Sequence, residues 1–219
     1  LAAALGLDTG RPVLVLTDDD NAANRFAADL RGFSERDVVQ LPSRELVMAD
    51  VVGVSRGYEQ ARLAALDTLS GACFAVASVQ AAAQRTMPPA LLASSIVTLK
   101  AGEEAPLDEL THRLTDAGYE RCSQVEGMGQ FSVRGGILDI FPPQAEHPYR
   151  VEFWDDEIDS ISTFDVGSQR RLEQCETLRC LPCMEALPSL AKGGAAGLAK
   201  AVAALASSRR KKQHAELQK

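Results

Sequence analysis

Three clusters in this sequence have the residue types that chemistry requires. The run from Val13 to Asp20 (Val-Leu-Val-Leu-Thr-Asp-Asp-Asp) reads as an apolar strand ending in carboxylates, an arrangement that can hold magnesium beside a nucleotide. A phosphate-gripping loop also needs glycines for close backbone approach, a lysine and a hydroxyl. No GxxxxGK followed by Ser or Thr occurs. Helix capping accounts for the aspartates more simply, since Asp18, Asp19, Asp20 and Asn21 stand where a helix N-cap belongs. Cys180-Leu181-Pro182-Cys183, with Cys175 nearby, has the spacing of half a zinc site or of a redox pair. A structural zinc takes four ligands. A second CxxC is missing and His112, His147 and His214 are scattered, so these read as incidental cysteines at a domain boundary. Glu152, Asp155, Asp156, Glu157 and Asp159 form an acidic cluster at a strand-turn-strand junction, where a solvated hairpin turn explains them. Neither a serine nor a cysteine nucleophile has a recognisable base partner. The expectation is a chain with no catalytic residue, no metal and no cofactor of its own, which does not hydrolyse ATP.

A less obvious pattern concerns binding. Alternation along Tyr149–Trp154 puts Val151 and Phe153 on one face of a strand and Arg150, Glu152 and Trp154 on the other. Arg134 alternates in the same way with Val133, just before Gly135-Gly136. Exposed tryptophan and arginine are the types enriched in binding hot spots. A second buried face, or Trp154 packed on a neighbouring domain, fits the pattern equally well, and alternation alone does not choose.

The elements that must position these residues follow from periodicity. Val13–Leu16 predicts a strand. Phe26, Ala27, Leu30 and Phe33 predict the apolar face of a helix, and Val38–Leu41 a second strand. Tyr58, Ala61, Ala65 and Leu69 predict a helix closed by Gly71, and Cys73–Ala77 a third, buried strand. Strands separated by helices imply a mostly parallel sheet with helices on its faces. Beyond Ile96 a helix from Pro106 to Gly118 gives way to short strands at 130–133, 137–141, 149–154 and 158–164, an antiparallel β-rich domain. An alanine-rich helix and a basic tail (Arg209, Arg210, Lys211, Lys212 and Lys219) end the chain. The expected division is residues 1–98, 99–180 and 181–219. With 23 basic against 30 acidic residues the formal charge is −7, so a sequence-independent grip on nucleic acid is not the default. No apolar run is long enough to span a membrane and no signal peptide is evident. Five cysteines, an odd number, point to reduced thiols in a cytoplasm. The start without methionine suggests a piece of something longer.

The block Gly129-Gln-Phe-Ser-Val-Arg-Gly-Gly-Ile-Leu-Asp-Ile-Phe-Pro-Pro143 resembles the second domain of the bacterial transcription-repair coupling factors (the Mfd family) and, more distantly, the matching domain of UvrB. The similarity continues through 148–160 and 164–173, and weakly over Arg11–Pro89. The Val-Arg-Gly-Gly-Ile-Leu-Asp pattern at 133–139 fits the coupling factors better than UvrB, which usually has aspartate after Arg-Gly. The short, aromatic-free interval from Leu41 to Arg56 has no room for the tyrosine-rich hairpin by which UvrB threads damaged DNA.

The resemblance implies an α/β chain in which a degenerate helicase-like (RecA-like) domain, 1–98 and incomplete at its N-terminus, precedes a UvrA-binding β-rich domain, 99–180, and a partial helical return segment, 181–219. The family's UvrA-contacting arginines and aromatic residue match Arg134, Arg150 and Trp154, with tryptophan where phenylalanine is usual. Leu181-Pro-Cys-Met-Glu185 departs from the family's Pro-Ala-Arg-Glu-like stretch. The implied role is recruitment of UvrA, linking stalled RNA polymerase to nucleotide excision repair. ATP, magnesium, DNA and RNA polymerase would be handled by parts of the parent protein outside these residues. Two other readings are a fragment of a UvrB-like excision-repair subunit and a DNA-binding piece acting through the basic tail.

Overall fold

The computed structural model describes residues 1–44, 57–69, 71 and 73–216, with backbone alone from 208 to 216. The expected absence of a damage-threading hairpin at 41–56 and the side chains of the basic tail thus fall largely outside the described residues. Two compact units are present, Leu1–Glu185 and Ala186–Lys219.

The first unit begins with α1 (Ala2–Thr9), β1 (Val13–Thr17), α2 (Asp20–Phe33), β2 (Val38–Leu41), α3 (Gly57–Leu69) and β3 (Phe74–Ser78). The three strands are parallel with β3 in the middle. Parallel neighbours need crossover helices, so the alternation of strand and helix signals leads directly to this sheet. The N-cap of α2 is Asp19, whose carboxylate accepts the Ala22 amide at 2.7 Å. Asp20 does something the capping argument misses. Its carboxylate accepts the Ser43 amide at 2.9 Å, the Ser43 hydroxyl at 2.6 Å and the Ser78 hydroxyl, so it ties the C-terminal ends of β2 and β3 to α2. Burial pushes this carboxyl up, but the bonds from Ser43 and Ser78 outweigh it and hold Asp20 below the ordinary aspartate range.

Two expected helix faces are corrected. The core stripe of α2 is Ala23, Ala27 and Leu30 over Phe74 and Val76, whereas Phe26 and Phe33 are exposed. Small alanines let the helix lie close on the sheet, and the phenylalanines fall to the rim of that stripe. In α3 the buried residues are Gln60, Arg62, Leu63 and Ala65, while Tyr58 and Ala61 face solvent. This helix has a second neighbour, and that neighbour is polar.

The chain continues through α4 (Val79–Ala83), α5 (Pro89–Ser95), β4 (Val97–Lys100), α6 (Leu107–Asp116), β5 (Glu120–Arg121), β6 (Gln130–Arg134), β7 (Ile137–Ile140), β8 (Tyr149–Trp154), β9 (Glu157–Phe164), β10 (Arg171–Cys175) and β11 (Thr177–Cys180). Strands β10-β9-β8-β7-β6-β5 form one sheet in that order, antiparallel except for the β5–β6 pair. One face packs into a core with α6, where Leu110 and Leu114 meet Phe131, Leu138, Ile140, Val151 and Ile161. Strands β4 and β11 pair antiparallel, Val97 opposite Cys180 and Lys100 opposite Thr177. The chain therefore enters and leaves this β-rich module side by side. The second unit holds a 3-10 turn (Pro188–Leu190) and α7 (Gly194–Glu216). Among the described residues no helix is long and apolar enough to cross a membrane.

Glu185 joins the module to α3. Its carboxylate accepts Arg62 Nε at 3.0 Å and Arg44 Nη2 at 3.0 Å, and its amide donates to Glu59 at 2.6 Å. Arg62 is fully buried and also donates to the Pro42 carbonyl at 2.7 Å. A bidentate bridge from Arg179 to Asp67, at 2.5 and 2.6 Å, joins the same surfaces at their rim.

Removing one member of a buried pair strands the other charge, at about 3–5 kcal/mol. Arg62→Ala is therefore expected to lose about that much in chemical denaturation, against about 1 kcal/mol or less for the exposed Arg179→Ala. A second expectation concerns pH. Because Asp20 is depressed in the fold, its contribution is complete above the unfolded aspartate value of about 4 and is lost as pH falls through the lower folded value. The deficit of Asp20→Asn against the parent chain, measured by urea unfolding, should be largest near neutral pH and shrink below about pH 4. A deficit that stays constant down to acid contradicts this role.

Candidate docking site

The face of the six-stranded sheet opposite its core carries the three residues singled out above. Two cross-strand rows define it. The first runs Ser132 (β6), Asp139 (β7), Arg150 (β8), Ser162 (β9) and Gln174 (β10), each directly opposite the next. The second runs Arg134, Ile137, Glu152 and Ser160. Trp154, opposite Glu157, stands at the hairpin end beyond it. The rows lie two residues apart along each strand, about 7 Å.

The alternation expected in β8 is present. Val151 is fully buried and Phe153 packs against the core, while Arg150 and Glu152 lie on the other face. Trp154 is 79% exposed and Arg134 is half exposed, whereas Ser132, Asp139 and Ser162 of the first row are buried, so the exposed part of this face is its hairpin end. The β8–β9 register shifts between Glu152 and Phe153, a bulge that re-aims the strand end. The preceding turn lies against it, with the Phe153 amide donating to the Gly136 carbonyl at 2.8 Å. A Cβ at Gly136 would sit 3.0 Å from the Phe153 carbonyl oxygen, and Gly135 takes φ 59°, so both glycines are needed for this close turn.

Arg134 and Arg150 converge on one carboxylate. Asp139, whose side chain is 2% exposed, accepts Arg150 Nε at 2.7 Å, Arg150 Nη2 at 2.8 Å and Arg134 Nη2 at 3.2 Å. Arg150 Nη2 also reaches the Gln169 side-chain oxygen at 3.2 Å, and its guanidinium lies 4.6 Å over the Phe164 ring. The bonds to Asp139 raise Arg150 above the ordinary arginine value, against desolvation. Arg134 spends one donor and is 54% exposed, against 19% for Arg150. In the next row the Glu152 carboxylate accepts from Arg171 Nη2 at 2.7 Å and from the Ser160 hydroxyl at 2.9 Å, and these bonds hold Glu152 below the usual carboxylate range. The face thus offers a fixed guanidinium, a freer one and a bare indole.

Sequence reasoning missed Asp139, Phe164 and Gln169. Asp139 left a signal: it lies between Leu138 and Ile140 in a buried strand, where a carboxylate must find a cation. Gln169 left none, since its φ of 60° and its bonds to Asp165 and Val166 depend on the folded turn.

Of the acidic group only Asp155 and Asp156 form the β8–β9 hairpin turn, with exposed Asp155 at φ 57° and the Asp156 carbonyl accepting the Ala105 amide at 2.8 Å. Glu152, Glu157 and Asp159 lie in the paired strands, and Glu152 belongs to the face itself. Cys180 and Cys183 are buried thiols beside Tyr119, whose hydroxyl donates to the Leu181 carbonyl at 2.7 Å. Burial pushes the Cys180 thiol up, toward an inert protonated form. Among the described residues no group of three or more His, Cys, Asp or Glu is placed to hold a metal.

Comparison with known proteins places this face in a family. Residues 97–185, from the start of β4 to Glu185, match the UvrB interaction domain. The chain is 33% identical over 186 residues to the transcription-repair-coupling factor of Bacillus subtilis (strain 168), covering 84% of this chain and 16% of that protein. It is 38% identical over 200 residues to the transcription-repair-coupling factor of Mycobacterium tuberculosis (86% of this chain, 16% of the relative). Against that of Escherichia coli (strain K12) it is 34% identical over 177 residues (80% and 15%). The chain thus spans about one sixth of the length of these curated relatives. Residues 97–185 are a UvrB interaction domain, and the chain that carries them belongs with the transcription-repair-coupling factors.

Proposed function

We propose that this chain is the UvrA-recruiting module of a transcription-repair coupling factor, and that Arg134, Arg150 and Trp154 form its docking site. The observation that carries the reading is an open sheet face, inside a UvrB interaction domain, presenting two converging arginines and a largely exposed tryptophan. Arg134 and the free donors of Arg150 meet acidic groups of UvrA, and Trp154 is desolvated against an apolar surface. Guanidinium forks favour carboxylates through charge-assisted bonds, and an indole buries a large area with few torsions to freeze.

In this reading residues 1–98 are a degenerate helicase-like domain, 99–180 the docking domain and 181–219 a partial return segment. The chain itself carries no catalytic step and no cofactor. Handling of ATP with magnesium, DNA translocation and contact with stalled RNA polymerase belong to other parts of a longer, cytoplasmic protein. The family's place in transcription-repair coupling gives the module its purpose: it brings UvrA to a polymerase arrested at a lesion.

Arg150→Ala and Trp154→Ala are each expected to weaken UvrA binding by about 2 kcal/mol or more, roughly thirtyfold, with thermal unfolding of the free chain little changed for Trp154→Ala. Titration calorimetry with the cognate UvrA makes the measurement. Unchanged affinity in both folded variants sinks the site assignment.

A further inference from the structure

The arginines of the face do not hold themselves in place. Arg150 is confined on three sides: by the Asp139 carboxylate through two bonds, by the Gln169 oxygen, and by the Phe164 ring beneath its plane. Gln169 is itself fixed, its backbone amide donating to the Asp165 carbonyl at 2.8 Å and its side-chain amide to the Val166 carbonyl at 2.8 Å. Asp139 is the hub, since its carboxylate takes the bonds of both arginines. The flanking hydroxyls of Ser132 and Ser162, in the same row, are buried and make no hydrogen bond, so neither competes for that carboxylate.

We infer that Asp139 is a positioning residue for docking: buried and out of reach of any partner, it pre-orients the Arg150 guanidinium and draws Arg134 toward it, so that the two cations present one acidic-group receptor. The inference rests on the docking reading above. The physical gain is preorganisation. A long side chain frozen at the moment of binding weakens affinity, and a fork already held by a bidentate carboxylate loses little on docking. The two arginines also divide the work: Arg150 is fixed for geometry, and the more exposed Arg134 adapts.

A purely structural Asp139, compensating buried charge and nothing more, predicts a different result in a double-mutant cycle. The parent chain, Asp139→Asn, Arg150→Ala and the double variant are titrated against UvrA at one ionic strength. Arg150→Ala should weaken binding about thirtyfold, as above, and Asp139→Asn about tenfold or more. The double variant should fall short of the product of those losses by about fivefold or more, because a carboxylate with no guanidinium to orient has little left to contribute. Losses that multiply fully overturn the inference. So does an Asp139→Asn chain that binds like the parent, and the Arg150→Ala loss then leaves the docking reading standing. An Arg150→Ala chain that binds like the parent takes Arg150 out of the docking site and overturns this inference. The docking reading falls with it only if Trp154→Ala also binds like the parent. Should Asp139→Asn not fold, the parent chain alone decides. Its Arg150 Nε–H proton, followed by NMR in the absence of UvrA, should exchange with water far more slowly than that of the exposed Arg121. Equal exchange at the two overturns the positioning role.

Discussion

A buried carboxylate has no water to stabilise it, and Glu185 shows how much structure can be organised by meeting that need. Its side chain is 2% exposed and lies against Arg62, which has no exposure at all. Arg62 belongs to α3, which packs on the parallel sheet, while Glu185 ends the β-rich module. The pair is therefore satisfied only when both are folded and seated together. It explains why α3 buries Gln60 and Arg62 instead of a simple apolar stripe. It also gives a purpose to the last residue of Leu181-Pro-Cys-Met-Glu185, a stretch in which the resemblance alone assigned none. A buried ion pair contributes little net stability over a well-packed apolar pair, but it tolerates few alternative seatings.

The same device recurs on the open face. Asp139, also 2% exposed, sits between Arg150 and Arg134 as Glu185 sits between Arg62 and Arg44. In each trio one arginine is the more buried and the other reaches solvent. The surroundings decide what the trio does. Around Glu185 further donors of the two arginines go to the Pro42 and Arg85 carbonyls, so the pair is tied into the surrounding backbone. Around Asp139 the inner guanidinium is held against Gln169 and Phe164, while Arg134 spends one donor on the carboxylate and is half exposed, so the trio keeps a net positive charge that reaches solvent through Arg134.

Much of this was legible before any coordinates. The parallel sheet was foreshadowed by apolar runs at Val13, Val38 and Phe74 separated by helical periods, and the β6–β7 and β8–β9 hairpins by alternation broken at Gly135-Gly136 and Asp155-Asp156. Alternation alone puts Arg150 and Trp154 on the same face of β8 and does not say whether that face is buried. What escaped has a common cause. The pairing of Val97–Lys100 with Thr177–Cys180 joins segments far apart in sequence, and nothing local in either specifies the other. The inward face of α3 depends on a polar neighbour that no periodicity reveals. Strand β10, almost wholly exposed at the sheet edge, lacks the apolar alternation by which strands are recognised.

Trp154 shows how a single backbone detail connects sequence, geometry and docking. The β8–β9 register shifts between Glu152 and Phe153 before the pairing resumes to set Trp154 opposite Glu157, and the β6–β7 turn braces this strand end through the Gly136 carbonyl. That brace is close enough that any side chain at position 136 presses on the Phe153 carbonyl. Glycine here, where UvrB-type sequences carry aspartate, is therefore not a neutral difference. It lets the turn that bears Arg134 approach the strand that bears Arg150 and Trp154, and it adds no carboxylate beside the two arginines. A Cβ at 136 would need the Phe153 carbonyl or the turn to give way by a few tenths of an ångström, and the turn carries Arg134, the arginine that remains freest to meet a partner.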